Sequence, residues 1–139
     1  MRILTTRAQI YRVAGLEGGP GQYPAYPYAR AIPREIGKRL LACCTDLAWP
    51  ADRDFLNDDG GFIVVYDRAD EFDVRYFGMP SLDWLEHVEQ VECADGERWW
   101  HCCALANNET AIDYVFSEAV APSDLLAALK ARALEDAET

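Results

Sequence analysis

Asp95-Gly96-Glu97-Arg98-Trp99-Trp100-His101-Cys102-Cys103-Ala104-Leu105-Ala106-Asn107-Asn108 is bounded at both ends by turn dipeptides and filled between them with aromatic and small apolar residues. Asp-Gly and Asn-Asn both tolerate the backbone of a tight hairpin. Residues 97–106 therefore read as a strand, joined by two tight turns to strands at about 88–94 and 109–117. Two-residue loops would place Trp99, His101 and Cys103 opposite Phe116, Tyr114 and Ile112 on a core-facing side. They would place Cys102 opposite Asp113 and Glu89, and Trp100 opposite Val115 and Val91, on the other side. A slip of one residue exchanges these faces.

Working outward, Phe62 to Tyr66 is an apolar run of strand length, and Phe72 to Tyr76 alternates cleanly, so the two read as a hairpin around the polar turn 67–71. Ser81 is placed to cap a short helix holding Trp84, Leu85 and Val88 before the chain becomes extended. Upstream, Ile36, Leu40, Cys43 or Cys44, and Leu47 recur at helical spacing, which predicts a helix over about 33–48. Pro33 suits its first turn, and Gly37 weakens it. Residues 2–13 are expected to form an edge strand, and 15–29 a Gly-, Pro- and Tyr-rich loop. Ser123 reads as the N-cap of a terminal helix over about 123–136, with Leu125, Leu126, Leu129 and Ala133 inward. The expected fold is α+β in one domain, 1–139. It is an antiparallel meander of about five strands, with the helices 33–48 and 123–136 packed on one face.

Half of the 139 residues are hydrophobic and the formal net charge is −11, which suits a globular chain and disfavours generic binding to phosphate backbones. The charge is asymmetric. Residues 1–45 hold seven basic and two acidic side chains; residues 46–139 hold six basic and twenty-two acidic. The N-terminal residues lack an apolar secretory run, no stretch has the length and apolarity of a membrane span, and the five cysteines are odd in number. These features together lead us to expect a cytoplasmic protein with reduced thiols.

His101, Cys102, Cys103 and Asp113 are the weak catalytic candidates, with His101 the best of them. A nucleophilic thiol needs a cationic neighbour, whereas carboxylates beside Cys102 and an apolar setting for Cys103 would raise their pKa values. No C-x-x-C spacing supports a zinc site, and the Asp58-Asp59-Gly60-Gly61 loop lacks the carboxylate an EF-hand requires at its first position. Phosphate-loop, nucleophile-elbow and dinucleotide motifs are absent as well. Neither a metal nor a cofactor is expected.

Two surfaces suit a protein partner. One is Tyr23, Tyr26 and Tyr28 with the ridge Arg30, Arg34 and Lys38, combining residue types enriched at interface centres. The other is the acidic set that includes Asp58, Asp59, Glu86, Glu89 and Glu92, which would attract a basic protein surface. The function expected is a non-catalytic protein-binding role of inhibitor, immunity or adaptor type, acting through charge complementarity and aromatic anchors. The alternative is a small enzyme or ligand-binding protein with a pocket near His101, between helix 33–48 and the sheet.

Overall fold

The computed structural model describes residues 2–4, 7–16, 32–43, 62–73, 85–106 and 110–138. They form β1 (Arg2–Leu4), α1 (Arg7–Ala14), α2 (Arg34–Cys43), β2 (Phe62–Tyr66), a 3-10 helix (Ala69–Asp73), β3 (Leu85–Glu92), β4 (Arg98–Ala106), β5 (Thr110–Ser117) and α3 (Ser123–Glu138). The chain divides into two compact units, one of residues 1–3 and 63–139, the other of residues 4–62.

The first unit is built on a five-stranded sheet of order β1-β2-β5-β4-β3. The class is α+β, but the sheet is mixed. Both pairs involving β4 are antiparallel, and one pair within β1-β2-β5 is parallel, so the purely antiparallel meander is corrected. Residues 74–76 of the segment expected to pair with β2 lie outside the described residues; the neighbours of β2 are β1 and β5, and Phe72 and Asp73 are not in a strand. The reason lies in Phe72, which enters the 3-10 helix and stacks on Tyr66 with ring centroids 4.2 Å apart. Its other ring contact is edge-on to Phe116 at 5.1 Å, while Tyr66 stacks on Tyr114 at 6.2 Å. At Phe72, aromatic packing therefore outweighs the strand alternation. Glu71 closes the preceding turn by accepting the amides of Asp67 at 2.8 Å and Arg68 at 3.3 Å.

The β3–β4 and β4–β5 registers both differ by one residue from the two-residue-loop expectation. Val88, Cys102 and Tyr114 form one cross-strand row, Glu89, His101 and Val115 the next, and His87, Cys103 and Asp113 another. The turn explains it. Gly96 N donates to Cys93 O at 2.9 Å, Cys93 N donates to Glu97 O at 2.8 Å, and Gly96 has φ +87°. This is a three-residue loop, Ala94 to Gly96, with glycine in the left-handed position, and the Asp95 carboxylate accepts the Glu97 amide at 2.9 Å. At the other end Ala106 pairs with Thr110, again leaving three residues between the strands. Each extra loop residue moves the pairing by one.

Leu85 and Val88 lie in β3 and not in a helix; a register shift between Leu85 and His87 marks its start, and residues 81–84 lie outside the described residues. On the sheet, α3 runs along β3, and Arg132 Nη2 donates to Leu85 O at 2.8 Å. Its first helical bond is Leu126 N to Pro122 O, so Pro122 holds the capping position expected of Ser123.

In the second unit, α1 replaces most of the expected strand 2–13 and packs against α2. Gly15 at φ +65° ends α1 in a Schellman motif, with Leu16 N donating to Tyr11 O and Gly15 N to Arg12 O. Gly37 is a close-approach residue. A Cβ there would lie 2.3 Å from Ala14 Cβ, which explains a glycine inside α2. The helix is described to Cys43, and residues 44–48 lie outside the described residues.

Candidate functional site

The shifted register brings both histidines, two carboxylates and Cys103 of the three C-terminal strands onto one face. His101 and Cys103 on β4 alternate with Cys102, and the partners brought beside them are Glu89 and His87 on β3 and Asp113 on β5. Asp113 and Glu89 therefore accompany His101, not Cys102 as the two-residue loops would require. Tyr114 lies opposite Cys102 on the other face and is not the partner expected for His101.

His101 Nε2 is 2.7 Å from Asp113 Oδ1, and the imidazole is only 3% exposed. A carboxylate accepts, so Nε2 carries the proton and the tautomer is fixed. Nearer solvent, His87 Nε2 lies 3.0 Å from Glu89 Oε2, and the two imidazoles meet edge to face with centroids 6.3 Å apart. Chemically the face has an oriented base, carboxylates and the half-buried Cys103. Among the described residues, no group of three His, Cys, Asp or Glu side chains is arranged to hold a metal ion. Cys102 is no nucleophile: burial, followed by the neighbouring Cys103, pushes its pKa up to about 12. Trp99, on the same face as His101, has a buried Nε1 with no hydrogen-bond partner among the described residues.

The acidic candidates separate. Glu86 and Glu92 are exposed on β3, the edge strand of the sheet, with Glu89 between them bonded to His87. Asp95 and Glu97, in the hairpin that follows, are exposed too. Of the basic ridge, Arg34 donates from Nη1 to Gly15 O at 3.2 Å, satisfying the end of α1, and Lys38 is exposed. Tyr23, Tyr26, Tyr28, Arg30, Asp58 and Asp59 lie outside the described residues.

Sequence reasoning missed Glu118. Its carboxylate accepts Gln90 Nε2 at 2.7 Å and Trp100 Nε1 at 3.3 Å, and pairs with Lys130 at 3.4 Å. Burial works to raise its pKa, but the Gln90 bond and Lys130 outweigh it and hold the carboxyl below its usual range. The available signal was the placement of a glutamate directly after β5, where the chain turns toward α3.

No family model matches the chain, and no curated protein or solved structure matches it significantly. Among the described residues, no helix is long and apolar enough to cross a membrane.

Proposed function

We propose that this chain is a partner-binding protein that presents the β3 edge and the β3–β4 hairpin to a basic protein surface. The observation that carries the reading is the position of exposed Glu86 and Glu92 on a strand that ends the sheet, next to exposed Asp95 and Glu97. An edge strand offers main-chain groups to a partner, and its charges select which partner approaches. Charge on an edge also discourages self-pairing, so the same residues would keep the free protein from aggregating. The test is affinity capture at low and high salt with the wild type and the variant Glu86→Lys/Glu92→Lys. A stoichiometric basic partner, weakened by salt and lost in the variant, supports the reading; a partner held equally by both proteins rejects it.

The His101–Asp113 pair favours a second reading, a small enzyme using His101 as base. With Nε2 committed to Asp113, proton transfer would run through Nδ1. Thiol kinetics decide this version: a fast-reacting Cys103 slowed by His101→Ala supports it, and slow thiols in both proteins remove the cysteine chemistry.

A further inference from the structure

A pocket of about 420 Å3 lies on the α3 side of the sheet, lined by Gln90, Arg98, Trp100, Lys130, Ala133 and Leu134. Two periodicities build it. Arg98 and Trp100 are two residues apart on β4 and share a face, with Gln90 opposite Trp100 on β3. Lys130, Ala133 and Leu134 follow the three- and four-residue spacing of one face of α3.

The lining combines apolar Trp100, Ala133 and Leu134 with cationic Arg98 and Lys130. Trp100 is buried, with its indole N–H committed to Glu118, and it is one of the lining residues. Leu134 is 64% exposed, the only large hydrophobic side chain among the described residues that is so open to water. Lys130 is shared with Glu118. Arg98 forms no ion pair among the described residues, even with Glu92, its Cα partner on β3. In a chain with 24 acidic and 13 basic side chains, two cations and no carboxylate in one lining run against the prevailing charge.

We propose that this pocket binds a small organic carboxylate with an apolar body. The carboxylate sits on Arg98 and Lys130, and the hydrocarbon lies against Trp100, Ala133 and Leu134. The volume falls within the range of about 300–1,000 Å3 usual for small-molecule sites, and the pairing of an apolar wall with a few oriented polar groups is their usual chemistry. A long polyanion is disfavoured by the −11 charge around the pocket, whereas a single carboxylate is short enough to feel mainly the local cations. This site is independent of the β3 edge reading.

The test is an NMR titration of the 15N-labelled full chain with octanoate, following the Trp100 indole resonance, with acetate and 1-octanol as probes lacking the apolar body or the charge. Octanoate should shift the resonance saturably and bind about tenfold or more tightly than either control. Arg98→Gln should weaken octanoate about three- to fivefold, the scale of a partly exposed ion pair, and Leu134→Ser about tenfold through lost apolar contact. Glu92→Gln should tighten it by removing the carboxylate across from Arg98 on β3. Both Arg98 and Leu134 are exposed, so their variants keep the fold. The proposal is overturned by the absence of a saturable shift, by 1-octanol binding as tightly as octanoate, or by unchanged affinity in both variants.

Discussion

His101 and Asp113 bond across β4–β5 although neither is the other's direct partner: His101 faces Val115, and Asp113 faces Cys103. The bond is diagonal, and it exists only in the register set by three-residue loops. Because the imidazole is almost fully buried, removing its acceptor leaves a desolvated polar group. Asp113→Ala should cost about 1–3 kcal/mol in urea unfolding. The His101→Phe/Asp113→Ala double variant should lose clearly less than the sum of the two single losses, and strict additivity would show that the bond contributes nothing.

Gly37 gives a prediction of opposite sign to helix propensity. In an isolated helix Gly→Ala gains about 1 kcal/mol. Here the added Cβ meets Ala14 at 2.3 Å, so Gly37→Ala should instead destabilise by about 1–3 kcal/mol. Adding Ala14→Gly should recover part of that loss. Thermal unfolding of the wild type and the two variants checks it, and a stabilised Gly37→Ala would contradict the α1–α2 packing.

Cys102 sets an alkaline limit. Its folded pKa is raised to about 12 from an ordinary thiol value near 9, so the unfolded chain releases this proton first as pH rises. The associated stability is intact below about pH 9 and falls between about 9 and 12. Tyr66 and Tyr114, both raised first of all by burial, add to the decline at higher pH. In native protein near pH 8, alkylation followed by mass mapping should leave Cys102 unmodified, with labelling appearing only on unfolding.

The acid side runs the other way. Glu71 and Glu118 are both held below their ordinary carboxyl range, so the stability they carry is present above about pH 4.5 and is lost as pH falls through their lowered folded values. In Glu118, burial is overcome by Gln90, Lys130 and Trp100; in Glu71, burial is overcome by hydrogen bonds that include the Asp67 and Arg68 amides. Glu118→Gln should therefore flatten the acid limb of a stability–pH profile while leaving the alkaline limb in place.

Much of the sheet was legible in the sequence and its register was not, for one physical reason. The apolar run Phe62 to Tyr66 and the turn signals around Trp99 to Cys103 locate β2, β4 and β5. Asp95-Gly96, however, fits both a two-residue loop and the end of a three-residue loop with a left-handed glycine, and that choice decides whether Glu89 stands beside Cys102 or His101, just as the length of the loop after Ala106 decides it for Asp113. Helix α1 was missed because the alternation in residues 2–13 competes with Ile10, Val13 and Ala14 at helical spacing. Gly15, a helix-stopping residue directly after them, was the signal that resolves it. Phe72 misled in the other direction, since its ring partners lie far away in sequence and nothing local announces the 3-10 turn.

The proposed role of the β3 edge is tested most directly by comparing two charge reversals of equal size against the same captured basic partner. Glu86→Lys/Glu92→Lys changes the edge, whereas Asp70→Lys/Glu135→Lys makes the same net change at exposed positions elsewhere. Loss of binding in the first and retention in the second is the predicted result. Equal loss in both would mean that only net charge matters, and binding unaffected by the edge reversal would contradict the account.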